Sequence, residues 1–251
     1  MIYFDNAATT PPVPGAFGAA TQCAIFGNPT QRAIFGTPTQ LAIFGNPSSA
    51  HAVGREAKAE LESCRAIIAD KLNCEPDEVY FTSGATEACN WAVKSICSTA
   101  DQRRHSLVAS PFEHHAVTEA VEQYNVPKYT KLDLAQMLVN NETGQLYDVE
   151  SLCKKGGLVF CDATAAVGHI PVDFKALGAD YMAFGGHKFG SLKGIGALIV
   201  KEGCPIAPMI FGGAQERGMR GGTVSVPLVS SMAAALTWRS LHMAENEKAI
   251  R

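Results

Sequence analysis

The feature that most constrains the fold is the alternation, from about residue 51 onward, of short apolar runs with stretches of helical periodicity. Ala57, Leu61, Cys64 and Ile68 recur at three- and four-residue spacing in an Ala-, Glu-, Lys- and Leu-rich stretch, which predicts an amphipathic helix over 51–72. Apolar runs then follow at 79–82, 106–109, 137–139, 158–161, 181–184 and 195–200. Helical patterns fall between several of them, at 86–98, 115–124 and 148–155. Parallel strands need long crossovers, and helices are the economical way to make them, so this order predicts an α/β domain with a mainly parallel sheet and helices on both faces. The stretch 226–251 reads as one further helix.

Length and composition agree with one principal domain: 251 residues, 47% of them hydrophobic, suffice for a large core. The formal charge of -3 offers no basic stripe for nucleic-acid phosphates or anionic lipid. No run approaches the roughly 18 apolar residues that span a bilayer, and the start carries no basic segment followed by an apolar one. The expectation is a cytoplasmic protein without nucleic-acid or membrane partners, acting on a small ligand. The eight cysteines show no C-x-x-C pair and no zinc spacing, which predicts reduced, mostly structural thiols and no metal site.

Residues 16–49 hold a repeat of period nine, AIFGNPTQ, AIFGTPTQ and AIFGNPSS. That period is far below the roughly 20–50 residues of repeat architectures, so it reads as duplicated loop material rather than a solenoid. The chain divides into an N-terminal segment with the repeat (1–50), a large α/β domain (51–225) and a C-terminal helix (226–251).

Open α/β sheets bind ligands beyond the carboxyl ends of their strands, so polar residues that follow apolar runs are the candidates. The run Phe81-Thr82-Ser83-Gly84-Ala85-Thr86-Glu87 is a strand, a small-residue turn and a helix start, offering free N–H groups to a phosphate; it is equally an ordinary helix cap. Asp162 ends a strand where a carboxylate needs a cationic or donor partner, such as a protonated pyridine nitrogen, or caps a helix. Gly185-Gly186-His187-Lys188 brings a lysine to a strand end, where desolvation would favour Schiff-base chemistry; a surface lysine is the plain alternative. Glu113-His114-His115-Ala116 is the fourth such place, with either histidine in solvent or lying against a ring.

Taken together, FDNAATTP at 4–11, GNPSSAH at 45–51, FTSGATEACN at 81–90, EHHAV at 113–117, NNETG at 140–144, CDATAAVGHIPVD at 161–173, GGHKFGSLKGIGAL at 185–198 and RGMRGGT at 217–223 resemble cysteine desulfurases of the class V aminotransferase group. The resemblance implies the large domain of a pyridoxal-phosphate (PLP) dependent transferase of fold type I. It makes Lys188 the Schiff-base lysine and proton carrier, Asp162 the partner of the ring nitrogen, and His114 the residue stacked on the ring. Gly84, Ala85, Thr86 and His187 would hold the phosphate, and Asn141 would lie near the ring hydroxyl. Thr223 would reach the phosphate of a neighbouring subunit, which implies a homodimer. The implied activity is sulfur transfer from L-cysteine with alanine as product, to a sulfur-acceptor protein, as in iron–sulfur cluster assembly.

The sequence also departs from that pattern. The glutamine that follows the DAT motif in the relatives is Ala165 here, and the serine before Gly-His-Lys is Gly185, each a lost hydrogen bond of about 1 kcal/mol. None of the eight cysteines matches the family's nucleophile, which in the relatives sits in a small C-terminal domain together with a carboxylate-binding arginine. The expectation is a PLP protein whose desulfurase turnover needs a thiol from elsewhere. Selenocysteine lyase, elimination or transamination chemistry and an inactive partner subunit are the alternatives.

Overall fold

Successive residues of a strand point to opposite faces, and in the runs at 79–82, 158–161, 181–184 and 195–200 both sets are largely apolar, so these strands can be buried on both sides. In the computed structural model, which describes residues 10–13, 15–16, 18, 45–103, 105–124 and 131–250, this is how the sheet is built. Its strands are β1 (Val79–Thr82), β2 (His105–Ala109), β3 (Lys131–Met137), β4 (Val159–Asp162), β5 (Tyr181–Gly185) and β6 (Gly196–Val200). The order is β1-β6-β5-β4-β3-β2. β2, β3, β4 and β5 pair in parallel, while β6 runs antiparallel to both β5 and β1. The expected mainly parallel sheet is therefore present, with β6 the reversed strand.

Val79, Phe81, Cys161, Met182, Phe184, Ala197 and Ile199 face one core. There they meet Leu61, Cys64 and Ile68 of α1 (Ala52–Leu72), and Val229, Met232 and Leu236 of the C-terminal helix Val226–Ile250. Tyr80, Phe160, Tyr181, Ala183, Leu198 and Val200 face the other core, under Trp91 and Ile96 of α2 (Ala85–Arg103) and Val117 and Ala120 of α3 (His115–Tyr124). Two short helices, α4 (Val149–Cys153) and α5 (Phe174–Leu177), precede β4 and β5, and the C-terminal helix is α6. His51 caps α1 by accepting the Gly54 N–H on its Nδ1 at 3.1 Å, and Asn73 closes the helix in the left-handed conformation.

The sequence reading differs most at β3. The run predicted at 137–139 meets the observed strand only at Met137, because β3 lies upstream in Lys131–Met137, where polar and apolar residues mix. Asp133 is fully buried in that strand, and its side chain accepts the Leu158 N–H at 2.7 Å, so a residue that reads as loop is held in the sheet by a long-range bond. The helix α5 has no counterpart in the sequence reading. Most of the period-nine repeat lies outside the described residues.

β1 forms one edge of the described sheet, and charged side chains cover it. Glu216 accepts the Phe81 N–H at 2.8 Å, Arg217 donates to the Val79 carbonyl at 2.7 Å, and the buried Arg65 binds both Glu216, at 2.8 and 3.0 Å, and that carbonyl. Unpaired backbone groups on an edge template further pairing, and these contacts remove them. They also bolt the 214–223 loop to the sheet beside the start of α2. Among the described residues no helix is long and apolar enough to cross a membrane.

Candidate active site

The parallel strands all end on one side of the sheet, and the segments that leave them converge on a cleft of about 590 Å³. It is lined by Gly84, Ala85 and Thr86 after β1, His114 after β2, Asn141 after β3, Asp162 at the end of β4, and His187 and Lys188 after β5. Eight of the nine residues singled out from the sequence thus share one wall-to-wall space. Thr223 does not line it.

The turn before α2 is shaped by its own residues. Thr82 donates its hydroxyl to the Gly84 carbonyl at 2.9 Å, and the first intrahelical bond runs from the Ala88 N–H to Gly84. The preceding helical N–H groups, including those of Ala85 and Thr86, have no intrahelical acceptor and form an anion-binding end. β6 makes room for this turn at Gly196, where a Cβ would stand 2.6 Å from the Gly84 carbonyl carbon. A Cβ on Gly84 itself would meet nothing within 4 Å, so it would project into open space.

Lys188 sits half-buried in a single 3-10 turn, Gly186–Lys188, that follows β5. Two side chains from distant parts of the chain fix its carbonyl: the Thr10 hydroxyl at 2.6 Å and His169 Nε2 at 2.8 Å. A carbonyl only accepts, so His169 carries its proton on Nε2. Backbone bonds from Thr10 to the His187 carbonyl and from Val13 to that of Gly190 complete the clamp. Burial holds His169 below the usual imidazole value, and burial followed by the charges of Lys188 and Lys193 does the same for His187, so both rings are neutral at neutral pH.

Asp162 is buried at the cleft floor and accepts the Thr164 N–H at 2.9 Å. His114 caps α3 by accepting the Ala116 N–H on Nδ1 at 3.1 Å. At Gly185 a Cβ would lie 3.1 Å from Ala85 Cβ, so the glycine there permits a close approach of the lysine turn to the start of α2.

The cleft also holds residues that sequence reasoning did not single out. Glu87 lines it from the first turn of α2, where its carboxylate accepts the Ser83 N–H at 2.7 Å and binds Arg220. Cys89, Met137, Val139, Thr164 and Lys193 line it as well. Lys193 lies in the same glycine-rich run as Lys188, a signal that was available in the sequence. Thr10 and His169 gave no local signal, because their role depends on pairs 178 and 19 residues apart.

These residues suit PLP. The volume is that of a cofactor site, which typically encloses about 300–1,000 Å³. A helix N-terminus faces a space that a Cβ on Gly84 would enter, a buried carboxylate takes one backbone N–H and opens to the cleft, a lysine lines the wall, and the buried Thr164 hydroxyl has no hydrogen-bond partner. When bound, PLP supplies an electron-withdrawing ring that stabilises negative charge at the α-carbon of an attached amino acid.

Comparison with known proteins agrees. The sequence matches the aminotransferase class-V family over residues 38–134 and 127–251. It is 34% identical to an IscS-like cysteine desulfurase of Mycobacterium tuberculosis, an alignment that covers 100% of this chain and 68% of the relative. It is 31% identical to the cysteine desulfurase IscS of Methanosarcina thermophila, over 80% of this chain and 56% of the relative. The solved structure of a NifS-like protein superposes with a TM-score of 0.87 at 30% identity, covering 98% of this chain and 72% of that one. The chain spans about half to two thirds of the length of these curated relatives. Fold, cleft and likeness together define a PLP-dependent protein of fold type I, and the chain belongs to the class-V aminotransferase family. Within that family it falls in the cysteine desulfurase branch of IscS- and NifS-like proteins.

Proposed function

We propose that this chain holds PLP covalently on Lys188 and acts on L-cysteine, releasing alanine and passing the sulfur to a thiol. The observation that carries the reading is the meeting of Lys188, Asp162 and the α2 N-terminus in one cleft. Lys188 would anchor the cofactor and then move the proton at the substrate α-carbon. Asp162 would accept a hydrogen bond from the ring nitrogen and keep it protonated. The N–H groups around Ala85 and Thr86, with neutral His187, would hold the phosphate, His114 would cover the ring face, and Asn141 would contact the ring hydroxyl. Thr223, outside the cleft lining, would serve the site of a second copy, which makes the working form a homodimer. A cytoplasmic location suits the seven described cysteines, all of them free thiols.

In the sulfur step the substrate C–S bond breaks and a thiol RSH becomes the persulfide RSSH as cysteine becomes alanine, so atoms and electrons balance. A thiolate is the nucleophile for such a step. Cys89 is the cysteine among the described residues that lines the cleft, and burial, followed by the charges of Asp162 and Glu113, pushes its thiol well above the usual range. It stays protonated and is a poor nucleophile. The acceptor thiol therefore comes from a segment outside the described residues or from a sulfur-acceptor protein. The same observation favours, as a second reading, a reaction that needs no thiol, with pyruvate, sulfide and ammonia as products of elimination.

The test is product analysis on the purified PLP-loaded chain with L-cysteine, with and without an added small thiol. Alanine formation that depends on the thiol supports sulfur transfer. Pyruvate in both arms supports elimination, and no amino-acid-dependent product with PLP bound identifies a cofactor-binding subunit without turnover.

A further inference from the structure

Asp162 and Cys89 line the cleft, and two further titratable groups that do not line it, Glu113 and Cys161, interact with them; the reaction proposed above uses one of the four. Glu113, at the junction of β2 and α3, is buried. One carboxyl oxygen accepts the Met137 N–H, and Met137 is the register partner of Asp162 in the β3–β4 ladder. Glu113 therefore grips β3 at the step directly beside Asp162. Its second oxygen has no hydrogen-bond partner. Among the described residues, the titratable groups that interact with it are Asp162 and Cys161 from β4 and Cys89 from α2, none of them a cation.

A second negative charge beside Asp162 is costly in so dry a place, because a Glu113 carboxylate would lose its hydration and be repelled by its neighbour. Asp162 is the better placed to keep the charge: it accepts the Thr164 N–H and opens to the cleft. Glu113 has one N–H bond and an oxygen left bare, which suits a neutral acid. We propose that Glu113 is a positioning residue that holds the single proton of this carboxyl pair and so fixes the negative charge on Asp162, the group that would face the cofactor's ring nitrogen. The inference rests on the PLP reading of the cleft. Burial pushes the Glu113 carboxyl up to about 8, against the Met137 hydrogen bond and with the help of the Asp162 charge.

Infrared titration of the cofactor-free protein, made with 13C-labelled glutamate, tests the proton's location without any activity. At pH values well above the ordinary glutamate value of 4.5, a protonated carboxylic acid carbonyl band belonging to glutamate should be present below pH 8 and lost well above it, and should be missing from Glu113→Gln throughout that range. With PLP bound, the visible absorbance of the wild type should show a step near pH 8 that Glu113→Gln lacks. PLP affinity at neutral pH should change by less than about threefold in that variant, since glutamine is also neutral and also accepts from Met137. Absence of a glutamic acid band in the wild type overturns the proposal, as does a Gln variant that keeps both the band and the step. Should Glu113→Gln fail to fold, the labelled wild type still decides, because the other buried glutamates, Glu78 and Glu216, are held by hydrogen bonds from Glu75 and Glu202 and by the Arg65 ion pair. A protein that retains no PLP sinks the cofactor reading, while the cofactor-free titration still locates the proton.

Discussion

Arg220 and Glu87 form a two-contact ion pair, Nε to Oε1 at 2.7 Å and Nη2 to Oε2 at 3.1 Å, which ties the loop before α6 to the first turn of α2. The pair is largely buried, with side-chain exposures of 17% and 12%. Burial works against the Glu87 carboxylate, yet the hydrogen bonds from Arg220 and Ser83 hold it below the ordinary value of 4.5. Because Glu87 belongs to the turn that would hold the phosphate and Arg220 to the loop that carries Thr223, the pair fixes one relative to the other.

Arg220→Ala should therefore destabilise the protein by about 1–3 kcal/mol near neutral pH, since it leaves a largely buried carboxylate without its cation. A carboxylate whose folded value is depressed stabilises above its unfolded value and loses that contribution as pH falls through the folded one. The stability gap between wild type and variant, followed by urea unfolding, should narrow as pH drops below 4.5.

Gly84→Ala should weaken PLP binding at least about tenfold while leaving the apoprotein as stable as the wild type or slightly more so. The residue has no positive φ, and the new methyl meets no protein atom within 4 Å, only the space that a phosphate would take. Equilibrium dialysis with PLP, beside thermal unfolding of the apoprotein, checks both halves of the expectation.

Ala165 lines the cleft without a polar group, at the position where the resemblance to cysteine desulfurases implies a glutamine. Restoring one hydrogen bond of about 1 kcal/mol should make Ala165→Gln bind PLP about fivefold more tightly, measured in the same dialysis experiment.

His169 and His187 are both held below the usual imidazole value of 6.5, so the unfolded chain binds more protons than the folded one just below that value. By linkage, stability rises with pH there: it is full above about 6.5 and falls as the solution is acidified toward the folded values. His169→Gln keeps a donor for the Lys188 carbonyl and cannot titrate, so its unfolding temperature should decline less steeply than the wild type's between neutral and mildly acidic pH.

Much of this site was legible in the sequence, and the reasons are local. β1 and α3 fall where the pattern places them, and Asp162, Lys188 and Thr86 stand at strand ends, where chain order alone indicates a ligand site. β3 was misplaced because its burial depends on what pairs with it: Asp133 becomes a strand residue by accepting a bond from Leu158, 25 residues away. The same applies to the supports of the cleft. Thr10 and His169 on the lysine turn, Glu113 on Met137, and Arg220 on Glu87 are contacts between segments far apart in the chain, and no spacing rule in one segment records them.

The central claim is that Lys188 carries the cofactor, and Lys193, which lines the same cleft, is its rival. Borohydride reduction of the PLP-loaded protein followed by peptide mass spectrometry separates the two directly. The account predicts a pyridoxyl group on Lys188 alone, lost together with the reducible absorbance band in Lys188→Ala. A label on Lys193, or PLP that reduction leaves free of the protein, would contradict it.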